Sequence, residues 1–180
     1  MRLLLHTCCA PCMIHPVESL RSKGFEVDGL FYNPNIHPVG EYQRRRQAVQ
    51  DYSQELPAEV IYPEYTPSEF FWETHTKESG PERCLICWYL RLKKTAQVAK
   101  ENNYGAFSTT LLVSPYQNQE LLTKIGLTVA REEGVWFHYE DFRPGFRDAH
   151  KKAKEKGIYC QNYCGCIYSH QERNRPRNSS

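Results

Sequence analysis

Seven of the eight cysteines fall into three short groups: Cys8-Cys9-Ala10-Pro11-Cys12, Cys84-Leu85-Ile86-Cys87 and Cys164-Gly165-Cys166. Thiolates hold zinc and iron-sulfur clusters and also exchange electrons as dithiols. Sulfur gathered from three distant parts of a chain therefore reads as one soft-ligand site assembled by the fold. A Cys-x-x-Cys spacing alone serves zinc, iron-sulfur clusters and dithiol exchange alike. Here Cys9 to Cys12 and Cys84 to Cys87 each lead into a helix, so four or more thiolates can converge on one centre, and seven exceed what one tetrahedral zinc uses. Cys164 and Cys166 are too close in sequence to chelate comfortably by themselves, but they can close a small, strained and easily reduced disulfide. Cys160, outside the groups, reads as a small buried hydrophobe.

Other ligand types are sparser. His6, His15, His37 and His138 share no metal spacing and read as structural. Asp141, in Tyr139-Glu140-Asp141-Phe142-Arg143, follows a strand and is a candidate oxygen ligand for a second metal. Asp148-Ala149-His150 begins a cobalamin-type Asp-x-His-x-x-Gly pattern, but Ala153 stands where the glycine belongs, and nothing is assigned to it.

Alternating strands and helices must position these groups. Arg2 to His6 is a short apolar strand that runs into the first cysteines, and Ile14 to Ser22 is a helix closed by Gly24. Phe25 to Tyr32 is a second strand, stopped by Asn33-Pro34-Asn35. Tyr42, Val49, Tyr52 and Leu56 recur on one face of a helix, leaving Arg44, Arg45 and Arg46 largely on the others. Glu59 to Tyr62 is a third strand, and Tyr65 to Gly80 has the composition of a functional loop with short helical turns. Leu85, Tyr89, Leu92, Ala96 and Ala99 mark a helix to about Asn103 with Cys84 and Cys87 on its first turn, where the helix end favours thiolate. Ala106 to Val113 is a fourth strand ending near Ser114-Pro115, Tyr116 to Arg131 a helix, Val135 to Tyr139 a fifth strand, and Phe146 to Lys156 a last helix. This alternation specifies an α/β fold, a parallel five-stranded sheet with helices on both faces. Such sheets bind ligands beyond the carboxyl ends of their strands, where Cys8-Cys9 and Asp141 fall.

The chain has 180 residues, enough for one domain with a real core and no need of disulfide staples. The final residues, about 174–180, read as a disordered basic tail. No charged-then-apolar leader opens the sequence, and no apolar run approaches the ~18 residues of a membrane helix. A reducing cytoplasm, with no membrane partner, is expected, and there clustered cysteines mean metal or redox chemistry. A net charge of +2 announces no nucleic acid by itself. Basic residues do gather at Arg44-Arg45-Arg46, from Arg143 to Lys156 with Lys151 and Lys152, and at Arg173, Arg175 and Arg177. With twelve tyrosines and eight phenylalanines they could track a phosphate backbone and stack bases. Solvated helix faces are the plainer account of the same charges.

The segments Leu3-Leu4-Leu5-His6-Thr7-Cys8-Cys9-Ala10-Pro11-Cys12, Phe31-Tyr32-Asn33-Pro34-Asn35-Ile36-His37-Pro38, Arg83-Cys84-Leu85-Ile86-Cys87 and Tyr163-Cys164-Gly165-Cys166 together resemble the QueH-type epoxyqueuosine reductases. The resemblance covers about Arg2 to Arg173 and implies a HUP-like sheet. It also implies a cobalamin-independent oxidoreductase acting on tRNA that carries epoxyqueuosine at the wobble position, reducing the epoxide to the cyclopentene of queuosine with water leaving. It implies a [4Fe-4S] cluster on Cys8, Cys9, Cys84 and Cys87, and a redox-active Cys164 and Cys166. An additional mononuclear iron, with Cys12 and Asp141 as its candidate ligands, also follows from it. The reaction needs two electrons, whereas a [4Fe-4S] centre passes one, so a second store is required. The dithiol or the second iron could serve, with electrons from an unidentified donor. Asp141, His6 and Tyr163 are the proton donors available by position. Two other readings fit part of the pattern: a thioredoxin-like dithiol oxidoreductase, from the strand, Cys9-Ala10-Pro11-Cys12, helix layout, and a zinc-stabilised RNA-binding module without redox activity.

Overall fold

The computed structural model describes residues 1–76 and 81–174. Its single sheet has five parallel strands in the order β3-β2-β1-β4-β5: β1 (Arg2–His6), β2 (Glu26–Leu30), β3 (Val60–Ile61), β4 (Ala106–Thr109) and β5 (Trp136–Phe137). The expected α/β architecture is present. Central β1 pairs on both sides, Leu3 opposite Val27 and Ala106, and Leu5 opposite Gly29 and Ser108. Leu3, Leu4, Leu5 and His6 are all fully buried, which is why this strand reads as a continuous apolar run rather than an alternating one. Each buried leucine contributes roughly 1.5–3 kcal/mol.

Helices α1 (Ala10–Ser22), α2 (Val39–Ser53) and α6 (Phe146–Glu155) form one layer. Helices α4 (Pro81–Glu101) and α5 (Gln119–Glu133) form the other, with α3 (Pro67–Thr74) docked on α4. Helix α1 begins at the cysteine group itself. Cys9 is its N-cap in extended conformation, and Pro11 occupies the first turn, where no N–H is needed.

Several boundaries differ from expectation. The fourth strand stops at Thr109 and continues as a 3-10 turn over Thr110–Val113, because Thr109 caps that turn by accepting from the Leu111 N–H. β3 and β5 are two-residue edge strands. Part of the expected loop from Tyr65 forms α3, which Pro67 starts, and residues 77–80 of that loop lie outside the described residues. Helix α7 (Ile167–Asn174), directly after Cys166, was not legible as a helix. Of the expected basic tail, Asn174 ends α7 and residues 175–180 lie outside the described residues. No described helix is long and apolar enough to cross a membrane.

Candidate metal centre

The carboxyl end of β1 delivers the chain to α1 through Thr7, Cys8 and Cys9, and one helical turn later Cys12 returns to the same spot. The sulfurs of Cys8, Cys9 and Cys12 all lie within 4.8 Å of one another, the only such group of three ligand side chains among the described residues. Cys9 and Cys12 are buried and Cys8 is half-buried. Protons divide unequally among the three: hydrogen bonds from Cys12 and Cys9, helped by Thr110, hold the Cys8 thiol well below its ordinary value. Burial pushes Cys9 up, and Cys12 rises because it donates to Cys8 and Cys9. The group thus already contains one sulfur prepared to be a thiolate, as soft-metal binding requires.

Two side chains that carried no sequence signal support this group. Thr110, on the turn after β4, accepts the Cys8 N–H at 3.1 Å and donates its hydroxyl to Cys8 Sγ at 3.3 Å. Gln161 donates its amide N–H to Cys9 Sγ at 2.8 Å. Hydrogen bonds to ligating sulfurs are a standard means of setting the potential of a thiolate-bound metal.

A second gathering of sulfur stands on α4 and the segment before α7. Cys87 and Cys166 share a small buried cluster with Phe70, while Cys84 and Cys87 both sense the charge of Cys164. Cys84 ends the first turn of α4, but Cys87 is on the second. Burial outweighs the helix end: Cys84 is raised, and Cys87 is pushed up to about 11. The expected thiolate preference is therefore absent from these two. Cys164 is exposed, and its thiol is held low by donation from Cys166, with Ser169 adding a further hydrogen bond. Cys166 is correspondingly raised. The disulfide anticipated for this pair is not formed: all eight cysteines are free and the two sulfurs are 4.0 Å apart, about twice a bond length.

Two buried arginines link the gatherings. Arg91 donates to the Cys87 carbonyl at 3.1 Å, and its charge acts on Cys84, Cys87, Cys164 and His6. Arg45, 1% exposed, donates Nε to Glu41 at 2.7 Å and one nitrogen each, at 3.0 Å, to the carbonyls of Cys164 and Tyr163. Its charge also acts on Cys8 and Cys9. Arg45 was expected among the phosphate-binding arginines; burial and three internal acceptors remove it from that role.

The remaining candidates divide. His6 is fully buried with Nδ1 against Thr109 and Nε2 against the Tyr32 carbonyl. Burial, then the Arg91 charge, lowers it to about 3, so it is a neutral structural histidine rather than an acid. The Tyr163 hydroxyl is bonded to the His37 carbonyl. Asp141 follows β5 at the carboxyl end of the sheet, but the structure does not bring it into the thiol triplet. Its exposed carboxylate is held low by hydrogen bonds from Arg143, the shorter pair at 2.6 and 2.7 Å. Cys160 is half-buried against the core, its thiol on the Ile158 carbonyl. Arg44, Arg46, Lys151 and Lys152 are exposed, although Arg44 bonds Glu41, Lys151 faces Glu155 and Lys152 bonds Glu18.

Comparison with known proteins finds relatives along nearly the whole chain. The family model described as "Epoxyqueuosine reductase QueH" matches residues 3–172. The epoxyqueuosine reductase QueH of Thermotoga maritima is 39% identical over 179 residues, covering 95% of this chain and 91% of that protein. That of Dehalococcoides mccartyi is 39% identical over 173 residues, covering 96% and 94%. Among solved structures, a predicted tRNA methyltransferase subunit from Methanocaldococcus jannaschii superposes with TM-score 0.52 at 10% identity, covering 85% of this chain and 76% of that one. A deacetylase of teicoplanin biosynthesis gives 0.51 at 11%, covering 87% and 83%. At such identities the two structures speak for the Rossmann-like and HUP-like α/β fold alone. Matched from the first strand to α7, and with its thiols gathered at the sheet's carboxyl edge, the chain belongs to the QueH family of epoxyqueuosine reductases.

Proposed function

We propose that this chain reduces the epoxide of epoxyqueuosine in tRNA to the cyclopentene of queuosine: both carbon-oxygen bonds break, two electrons and two protons enter, and the oxygen leaves as water. The observation that carries the proposal is the triplet of Cys8, Cys9 and Cys12 at the end of β1, in a chain that matches QueH proteins along nearly its whole length. A thioredoxin-like enzyme needs one dithiol and accounts for neither the third sulfur of this group nor the second gathering.

The first cysteine group suits a soft metal, being all sulfur, largely buried and already containing one acidic thiol, whereas Cys84 and Cys87, raised by burial, would lose their protons on joining it. In this proposal Cys8, Cys9, Cys84 and Cys87 hold a [4Fe-4S] cluster, and Cys12 and Asp141 are left for a further iron. Asp141 would first have to leave Arg143. Such a cluster supplies electrons singly. The chain's own contribution is to hold Cys8 through Thr110 and Cys9 through Gln161, and to keep the Cys164 and Cys166 pair as the second store. His6 is buried and bonded through both ring nitrogens, to Thr109 and to the Tyr32 carbonyl, and takes a structural role. Arg44, Arg46, Lys151 and Lys152 are the exposed cations offered to the tRNA phosphates.

Anaerobic reconstitution followed by iron and acid-labile sulfide analysis tests the cofactor. Four irons and four sulfides per chain, or that set plus one iron, are expected. Stoichiometric zinc without sulfide would contradict it and favour the zinc-stabilised RNA-binding alternative.

A further inference from the structure

Buried cations are costly unless fully engaged, and Arg45 is the bulkiest of the fully buried side chains. It lies on the inward face of α2 with Tyr42, Val49 and Tyr52, paired with buried Glu41, whose other oxygen accepts from Arg44 and from the Tyr159 hydroxyl. The two remaining guanidinium nitrogens point away from α2 and grip consecutive carbonyls, Tyr163 and Cys164, in the planar two-pronged manner that only arginine provides. From the opposite side His37 donates its backbone N–H to the Gly165 carbonyl at 2.8 Å. Gly165 itself has φ +121°, and a Cβ there would meet Arg45 Nη1 and Ile36 Cγ1 at 3.0 Å. The turn between the two cysteines is thus a glycine because the guanidinium lies against it. Three successive carbonyls, 163 to 165, are fixed, and in that fixed turn the sulfurs stand 4.0 Å apart.

We infer that Arg45 is a positioning residue, a latch that holds the Cys164-Gly165-Cys166 turn in its open dithiol geometry and so opposes closure of the disulfide. The inference rests on the reading of Cys164 and Cys166 as a redox pair. Closure joins the two sulfurs and passes two electrons and two protons to an acceptor such as glutathione disulfide, which becomes two glutathiones. It also requires the sulfurs to approach by about half their present separation, which the pinned backbone resists. Releasing the latch therefore shifts the balance toward the disulfide.

The test equilibrates the metal-loaded protein with glutathione redox buffers under anaerobic conditions and reads Cys164 and Cys166 by alkylation and mass spectrometry. Arg45→Gln is expected to shift the equilibrium constant at least tenfold toward disulfide, about 30 mV for two electrons. Arg45→Lys keeps a cation against Glu41, guards against loss of folding, and is expected to shift it in the same direction by a smaller factor because an ammonium cannot span both carbonyls. An unchanged constant in folded Arg45→Gln and Arg45→Lys overturns the latch. So does tRNA affinity that falls with a salt slope reduced by about one, which would make Arg45 a phosphate contact. A wild-type pair that stays reduced throughout the series refutes the redox reading separately. The latch is then decided by the iodoacetamide rate of Cys164 relative to Cys160 in the same molecule, at least tenfold altered in Arg45→Gln if it exists and equal if it does not.

Discussion

Cys8, Cys9 and Cys12 share protons unequally because each sulfur is the other's nearest partner, and Thr110 tips the balance toward a Cys8 thiolate. Thr110→Val keeps the shape and removes the hydroxyl. The Cys8 N–H then loses its acceptor, at a cost of ~1–3 kcal/mol in urea unfolding, and an unchanged midpoint would contradict the pairing. In the reconstituted protein Cys84→Ala is expected to abolish the broad visible absorption of the cluster. Cys160→Ala, whose thiol reaches only a backbone carbonyl, is expected to leave that spectrum and turnover intact. The cysteine spacing made the sulfur legible, and helix periodicity could have exposed two further residues. Arg45 falls on the same stripe as Tyr42, Val49 and Tyr52, and Arg91 lies on the face that carries Cys84 and Cys87. Arg45 was grouped with its neighbours as a surface charge and Arg91 was not singled out, because an arginine is buried only when tertiary partners engage it, and those partners come from elsewhere in the fold. Gln161 and Thr110 had no local signal, since their role is fixed by contacts across more than one hundred residues.

At the scale of elements, α2 owes its inward polar face to Glu41. Burial alone would raise that carboxyl, but hydrogen bonds from Tyr159, Arg45 and Arg44 overcome it and hold it below its ordinary value. A carboxylate whose native value is depressed stabilises the fold above the unfolded value and loses that contribution as pH falls through the native one. Wild-type stability is therefore expected to drop through this acid range, and Glu41→Gln to be less stable at neutral pH with a shallower acid drop, as pH-series denaturation would measure. Helix α5 meets β5 through Gly126, where an added Cβ would come within 2.3 Å of the Phe137 ring. Alanine gains ~1 kcal/mol of helix propensity but overpacks a filled core at ~1–3 kcal/mol. Gly126→Ala should thus lower the thermal midpoint, and a rise would show that the ring yields. Strand order and the major helices were legible because apolar periodicity is local. The short edges β3 and β5 and the early end of β4 were not, since pairing partners and the Thr109 cap decide them.

Across the molecule, a parallel sheet places every strand's carboxyl end on one edge, and that edge receives the first cysteine group, Asp141 and the carbonyl-pinned turn before α7. The exposed cations are distributed over α2 and α6 and are partly matched by acids, so no single residue dominates the proposed tRNA contact. Arg46→Ala is expected to weaken tRNA binding modestly and lower the salt slope by about one; an unaltered slope would remove it from the interface. The most direct measurement is nucleoside mass analysis after anaerobic incubation of the reconstituted protein, with a chemical reductant, on tRNA carrying epoxyqueuosine. Queuosine, lighter by one oxygen, should replace epoxyqueuosine in wild type and not in Cys8→Ala. Epoxyqueuosine that persists unchanged beside a protein holding its full complement of iron and sulfide would contradict the account.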